Sequence, residues 1–551
     1  MNSPRHSLRW VNRLMTGFRH RLLWACLNGT AQTAASLAFV FVCKQLVDNA
    51  TGRSTDSMGL LILLLVATLL GQLLFSGLNN HLEGKNKIML QNRSRRRLFR
   101  SVMQSRWEGK ESLHTGDTIN RLEEDIRVTT ECLCHNVPAA FTAAVQLTAA
   151  SCFLFMMAPM LVGILLLVMP LCILAGKFYF RRMRALTAHI RSKDSHIQAH
   201  LQENLQHRLL VRTMGYTDPA LQQLDSLQKE LHHTTLQRLR FTTTSRTAIQ
   251  CGFMAGYSIA FLWGIFGLKD GSVTFGMMTA FLQLVGQIQR PILNLSHHLP
   301  AFVQAFTSVE RLMELSRLPQ EESGPAIRLQ GAPGIRIDRL TYGYPDQETP
   351  VIRGLSHHFP PGSSTAIMGP TGIGKSTLIR LLLGLLQPRE GSITLYDGRQ
   401  EAPVSPLTRI NFMYVPQGNS LMSGTIRQNL LLANPEATEE EMTQALHTAT
   451  ADFVLRLPQG LDTPCHEKGS GLSEGQAQRI AIARALLHPG GILILDEASS
   501  ALDKSTEETL IERLMTHTAG RKTVIWITHR EAVTTRVDSC LRMVCPLQPL
   551  T

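Results

Sequence analysis

The chain has 551 residues, of which 44% are apolar and 18% charged, with a mean hydropathy of +0.01. This composition excludes a disordered or purely solvating chain, and the length is enough for two or three domains. The intermediate hydropathy averages two unlike parts: residues 1–325 carry 34 Lys/Arg against 20 Asp/Glu, and residues 326–551 carry 21 against 22. A basic excess confined to one part fits a nucleic-acid binder or a membrane domain with a basic cytoplasmic side. The ten cysteines form no CxxC pair and show no metal-ligand spacing, so they read as buried, reduced thiols.

Residues 1–21 hold Arg5, Arg9, Arg13, Arg19 and Arg21 and no acid. There is no short apolar core leading to a small-residue cleavage site, so the segment reads as an amphipathic cytoplasmic helix and not a signal peptide. Six apolar stretches follow, near 22–46, 58–82, 134–157, 161–179, 247–267 and 275–299. Each approaches the roughly 20 residues a spanning helix needs. The first and third carry Asn28, Gln32, Thr33, His135, Asn136 and Gln146, as expected of helices that line a cavity. Short links join the stretches in pairs. The long polar connections, roughly 83–130 and 180–245, hold the Lys and Arg, including Arg93, Arg95, Arg96, Arg97 and Arg100. The positive-inside bias places these loops and both termini in the cytoplasm. A lipid bilayer then accounts for the basic excess, and no nucleic-acid partner is expected. In the sixth stretch Gln283, Gln287, Arg290, Asn294 and His297 share one helical face. Polar groups facing lipid are costly, so they either bond neighbouring spans or line a path.

Residues 318–334 are rich in Pro, Gly and acid and read as a linker between a membrane domain (22–317) and a second domain (335–551). From Ile335 short β-like runs alternate with helical ones, the pattern of a parallel α/β sheet. A strand at 364–368 leads into a loop holding Gly369, Thr371, Gly372, Gly374, Lys375, Ser376 and Thr377, followed by a helix at 378–386. This is GxxxxGKS in its strand–loop–helix context. Its backbone N–H groups wrap ATP phosphates, Lys375 reaches the β and γ phosphates, and Ser376 is placed to ligate Mg2+. About 120 residues on, an apolar strand ends in Asp496 and Glu497. The first carboxylate suits Mg2+ held through water, the second the attacking water.

The run Leu472, Ser473, Glu474, Gly475, Gln476, followed by AQRIAIARAL, resembles the signature of ATP-binding-cassette transporters. Ser473 can cap a helix whose positive end faces an anion. The resemblance implies that Ser473, Gly475 and Gln476 meet the γ-phosphate of ATP held by an opposite subunit. Glu474 departs from the more usual glycine and must point away from that phosphate. By the same resemblance Tyr344 stacks on adenine, with Tyr342 as the competing ring. Gln417 senses Mg2+, residues 500–503 with Asp503 communicate between two sites, and His529 contacts the γ-phosphate. Residues 114–121 with Asp125, and residues 203–212, are similar to the two cytoplasmic loops of the exporter branch, and residues 467–469 to an exporter loop. The tail after Asp538 is shorter than is usual in the family, which puts the C-terminal dimer contacts in doubt.

The implied fold is multi-domain, an all-α six-helix transmembrane domain followed by an α/β P-loop ATPase domain. The implied protein is a half-size exporter acting as a homodimer, with a heterodimeric partner or an ATP-gated regulator or channel as alternatives. A plasma membrane, bacterial by its compact length, is the expected location. With about 21 residues ahead of the first span, no leader-peptide processing is expected. Peptide, lipid, glycolipid and drug all stay open as cargo.

Overall fold

Long apolar runs free of turn residues become long helices, because backbone N–H and C=O groups away from water must find partners within the segment. The computed structural model describes residues 4–107, 115–345, 349–465 and 471–543. Its first ten helices are α1 (Pro4–Leu14), α2 (Arg19–Ala50), α3 (Met58–Met103), α4 (Thr115–Asn120), α5 (Ile126–Glu131), α6 (Val137–Met157), α7 (Pro159–Gln206), α8 (Arg208–Thr213), α9 (Thr217–Lys269) and α10 (Phe275–Ser316). At 1.5 Å per residue α3 runs for about 70 Å and α9 for about 80 Å, more than twice a hydrocarbon core.

Among the described residues four helices are long and apolar enough to cross a membrane: Arg19–Ala50, Met58–Met103, Gly116–Met157 and Thr217–Lys269. The stretch 161–179 lies in α7, where most side chains between 161 and 181 fall outside the described residues. The stretch 275–299 lies in α10, whose Gln283, Gln287, Gln289 and Arg290 lower its apolarity. α10 packs against α2, α6 and α9. Val40, Leu154, Ala260, Phe281 and Leu284 form the buried centre of that contact. On α3 Leu63, Leu70, Leu73 and Leu74 are exposed, a surface suited to lipid.

Several polar residues of the membrane part bond within or between helices. Asn28 donates to the Phe75 carbonyl at 2.8 Å, and buried Thr33 bonds its own helix at Gly29. Gln287 donates to Ser36 Oγ at 2.9 Å, and Gln283 is hydrogen-bonded to Cys43. Arg290 and Asn294 are exposed, while the His297 side chain lies outside the described residues. Two π-helical segments, Arg121–Asp125 and Cys132–Asn136, interrupt the helix that leads into α6. The first turns Asp125 inward, where it accepts from Ser308 at 2.8 Å and meets Arg311 at 3.2 Å. Arg121 bridges Asp117 and Glu314, each at 2.7 Å.

The second unit is built on strands β1 (Gly334–Tyr342), β2 (Ile352–Phe359), β3 (Ser364–Met368), β4 (Glu390–Tyr396), β5 (Glu401–Pro403), β6 (Phe412–Val415), β7 (Gly424–Thr425), β8 (Pro464–Cys465), β9 (Ile492–Asp496), β10 (Thr523–Ile527) and β11 (Ser539–Arg542). Its helices are α11 (Lys375–Leu382), α12 (Ile426–Leu431), α13 (Glu439–Thr448), α14 (Glu474–Leu487), α15 (Lys504–Thr518) and α16 (Glu531–Thr534). β2-β1-β4-β5 form an antiparallel sheet, and β11-β3-β10-β9-β6 a parallel one. All five residues of β9 and of β10 are buried, as parallel strands covered on both faces require. The segment beginning at Ser101, placed by its sequence in the membrane part, groups with this unit. Arg106 N donates to the Pro319 carbonyl at 2.7 Å, and the Arg380 guanidinium lies 4.4 Å from the Trp107 ring centroid.

The edge strand β11 is fastened by one carboxylate. Asp538 accepts from Ser364 N and Ser364 Oγ, both at 2.8 Å, and these bonds hold its carboxyl below the ordinary value of 3.8. The stabilisation is therefore complete above that value and is lost as pH falls through the lower folded one. Asp538→Ala should lower the thermal midpoint of the chain at neutral pH. Thermal scans of both chains should converge as the pH drops below about 3.

Candidate active site

Parallel strands carry their loops at the same edge, and ligands of open α/β sheets sit outside the carboxyl ends. Here β3, β10, β9 and β6 are consecutive neighbours, so the segments that follow them meet. After β3 come the glycine-rich loop and α11. After β10 comes His529, β9 ends on Asp496 ahead of Glu497, and after β6 comes Gln417. Gly374 takes φ +106°, and a Cβ there would lie 2.9 Å from Val351 Cγ1, so the turn into α11 needs glycine.

The side chains form one line of contacts. Buried Lys375 donates to the carbonyls of Gly369 at 2.6 Å and Pro370 at 3.1 Å, and its Nζ lies 2.9 Å from His529 Nε2. His529 Nε2 lies 3.4 Å from Glu497 Oε1, and Gln417 Nε2 donates to Glu497 Oε2 at 2.7 Å. Burial pushes the Lys375 ammonium below its ordinary value and the Asp496 carboxyl above its own. Glu497 sits at φ +49°, a left-handed backbone that is strained for a residue with a Cβ. Ser376 is exposed at the start of α11, and Thr371 and Gly372 are exposed in the loop.

Tyr342 is buried in the core, 6% exposed, with Tyr344 set edge-on against it at 5.3 Å. The Tyr344 hydroxyl lies 3.1 Å from Thr377 Oγ1 and accepts from Arg380 at 3.2 Å. Of the two rings, Tyr344 is the one with accessible surface beside the loop.

A second group of residues surrounds the start of α14. Ser473 caps that helix: its Oγ accepts from Gln476 N at 3.2 Å, and Ser473 N donates to Gln476 Oε1 at 2.9 Å. Glu474 is exposed. A Cβ on buried Gly475 would lie 2.8 Å from the Ala501 carbonyl, so only glycine lets the segment 498–503 pack there. Asp503 caps α15, accepting from Thr506 N at 3.0 Å and Ser505 Oγ at 2.6 Å, which holds its carboxyl well below the usual range. Among the described residues no side-chain hydrogen bond or ion pair joins Ser473, Gly475, Gln476 or Asp503 to the Lys375–Gln417 line. Residues 467–469 lie outside the described residues.

Three contributors were not singled out by sequence. The Tyr414 hydroxyl donates to Asp496 Oδ2 at 3.0 Å. Tyr414 pairs with Ile494 across β6 and β9, a register that spacing along the chain does not reveal. Arg530, next to His529, forms an ion pair with Glu507, which is 3% exposed. The same guanidinium donates to the Ser500 carbonyl at 2.9 Å, and Ser499 Oγ donates to Glu507 Oε1 at 2.6 Å. This buried pair joins the segment after β10 to the segment after β9.

A glycine-rich phosphate cradle at the edge of a parallel sheet, with a lysine, two acids and a histidine gathered beside it, defines a phosphate-loop ATPase carried on the same chain as membrane helices. The chain belongs to the ATP-binding-cassette transporter family: residues 352–500 match the model described as ABC transporter, and residues 22–292 the ABC transporter transmembrane region. It is 30% identical over 429 residues to the Fatty acid ABC transporter ATP-binding/permease protein of Mycobacterium bovis, covering 77% of this chain and 68% of that one. It is 30% identical over 455 residues to the ABC multidrug transporter mdr2 of Aspergillus fumigatus, covering 82% of this chain and 57% of that one. Its fold matches a bacterial Atm1-family ABC exporter solved with ATP bound, at a TM-score of 0.81 and 24% identity over 96% of this chain and 93% of that one. The protein is a transporter with an exporter-like fold that binds ATP and couples its hydrolysis to transport across a membrane.

Glu507 is buried and accepts charge-assisted bonds from Arg530 and Ser499, while the Arg530 guanidinium stays partly in water, so losing the carboxylate costs about 2 kcal/mol. Glu507→Ala should accordingly lower the thermal midpoint of the ATPase unit by roughly 4–8 °C, read by a calorimetric scan of the whole chain.

Proposed function

We propose that two copies of this chain pair, close their ATPase domains on two ATP molecules, and switch a membrane cavity from inward-facing to outward-facing. The observation that carries this reading is the line Lys375–His529–Glu497–Gln417 at the strand ends, together with the separately capped start of α14. One chain supplies a phosphate cradle and a catalytic carboxylate. The capped helix start, with N–H groups suited to an anion, is free to serve the partner's nucleotide. A heterodimer with a related chain is the second reading. It shares this arrangement, and ATP hydrolysis by the purified chain alone counts against it.

In the proposed cycle Tyr344 stacks on adenine. Backbone N–H groups from Gly369 to Thr377, with Thr371, Gly372 and Gly374, wrap the phosphates. Lys375 leaves the carbonyls of Gly369 and Pro370 for the phosphate oxygens. The Ser376 hydroxyl, the Gln417 amide oxygen and the Asp496 carboxylate are hard oxygen donors, a set that suits Mg2+ completed by phosphate. When bound, Mg2+ offsets charge on the transferred phosphoryl group. Glu497 orients the attacking water and takes up its proton, and His529 donates to the γ-phosphate from the ring nitrogen now shared with Lys375. Ser473, Gly475 and Gln476 contact that phosphate from the partner, and Asp503 with residues 500–502 relays between the two sites. Residues 115–121 and 207–214 pass closure to six spans, both termini lie in the cytoplasm, and the membrane is a plasma membrane.

Glu497→Gln should keep ATP binding and reduce hydrolysis by about a hundredfold or more, and a closed, ATP-filled dimer should accumulate on gel filtration. Hydrolysis at the wild-type rate would remove Glu497 from its role. Mixed dimers of a Ser473→Arg chain with a Lys375→Ala chain test the shared sites. If each site takes its cradle from one chain and its α14 from the other, one site carries both lesions and one carries neither. Photo-crosslinked ATP should then occupy one site per dimer. Loss of crosslinking at both sites would show that each chain serves its own nucleotide.

A further inference from the structure

Where three membrane helices end, the structure gathers a polar cluster that has no part in the ATP site. Glu83 follows the apolar run of α3, His135 and Asn136 lie in the π-helical turn Cys132–Asn136, and His298 lies near the end of the apolar run of α10. Glu83 Oε1 is 2.7 Å from His135 Nδ1, and His298 Nδ1 is 2.9 Å from Asn136 Oδ1. The two imidazoles meet edge to face at 5.8 Å. Two consecutive residues of the π turn thus reach two different helices, and such turns recur at functional sites. The Glu83 and His135 side chains are 30% and 43% exposed, so the cluster is open on one side.

We propose that this cluster receives the head group of the transported molecule and that the head group is an organic cation. The inference rests on the export reading given above. Glu83 is the carboxylate at the centre of the cluster, and the partner it shows is an imidazole, which an incoming ammonium or phosphonium can replace. Asn136 adds an acceptor oxygen. The neighbouring cation, Lys87, is held by Glu131 at 3.1 Å, and Glu131 also meets Arg127 at 3.4 Å. An anionic head would face Glu83 with those cations already engaged. Arg290 is exposed and lies eight residues before His298 on α10, about 12 Å of helix, beyond a Debye length at physiological salt.

Tetraphenylphosphonium and tetraphenylborate are matched in size and apolarity and opposite in charge. Calorimetric titration of each into the full chain in phosphatidylcholine nanodiscs, without nucleotide and with empty discs subtracted, reads binding directly. Wild type should favour the phosphonium by about tenfold, Glu83→Gln should lose that preference, and Glu83→Lys should favour the borate. Basal ATP hydrolysis of both variants, measured on the same samples, should match wild type and shows that they are folded. Equal binding of the two ions by wild type, or an unchanged preference in Glu83→Gln, overturns the proposal. Absence of ATP hydrolysis in wild type would count against the export reading and leave the titration result standing on its own.

Discussion

The parallel pairing of β3, β10, β9 and β6 is the constraint on which the ATPase unit depends. Each strand ends at the same edge, and each end delivers one polar group: a lysine, a histidine, a carboxylate pair and a glutamine. The four strands are mostly apolar and carry no charged residue before their carboxyl ends, so their charged residues concentrate where the sheet stops. A one-residue slip of β9 against β10 would move Asp496 and Glu497 away from Ile527 and His529. Burial of both strands on both faces makes such a slip costly, and the site inherits its geometry from that cost.

The same economy governs the contact between α14 and the segment 498–503. Gly475 has no side chain because the Ala501 carbonyl occupies the space. The Arg530–Glu507 pair then fixes the far side of that segment, so its backbone is held between α14 and the residue after His529. Two groups of functional residues that share no direct bond are thereby joined through packed backbone.

Much of this was legible in the sequence. The glycine-rich loop, the acids after an apolar strand and the Ser473–Gln476 capping box are local patterns whose spacing fixes their geometry. Pairings between distant strands are not local, which is why Tyr414 on Asp496 and Glu507 on Arg530 emerged with the fold. The polar residues of the membrane part were the least legible. The shared face of Gln283 and Gln287 fits bonds to neighbouring spans and a path equally, and the fold supplies bonds from Gln287 to Ser36 and from Asn28 to the Phe75 carbonyl, because a buried amide gains as much from an acceptor across a helix pair as from water. That residues 101–107 group with the ATPase unit is not readable from the sequence for a related reason, since the helical pattern of α3 runs past the point where its packing partners change.

The left-handed backbone at Glu497 sets stability against activity. A non-glycine residue held at φ +49° stores on the order of 1 kcal/mol, a cost that the role proposed for its carboxylate would explain. Glycine at this position would release that strain. Directed evolution of this transporter for heat resistance alone would therefore reward loss of the catalytic acid, and libraries selected on melting temperature would enrich motors that bind ATP and never spend it.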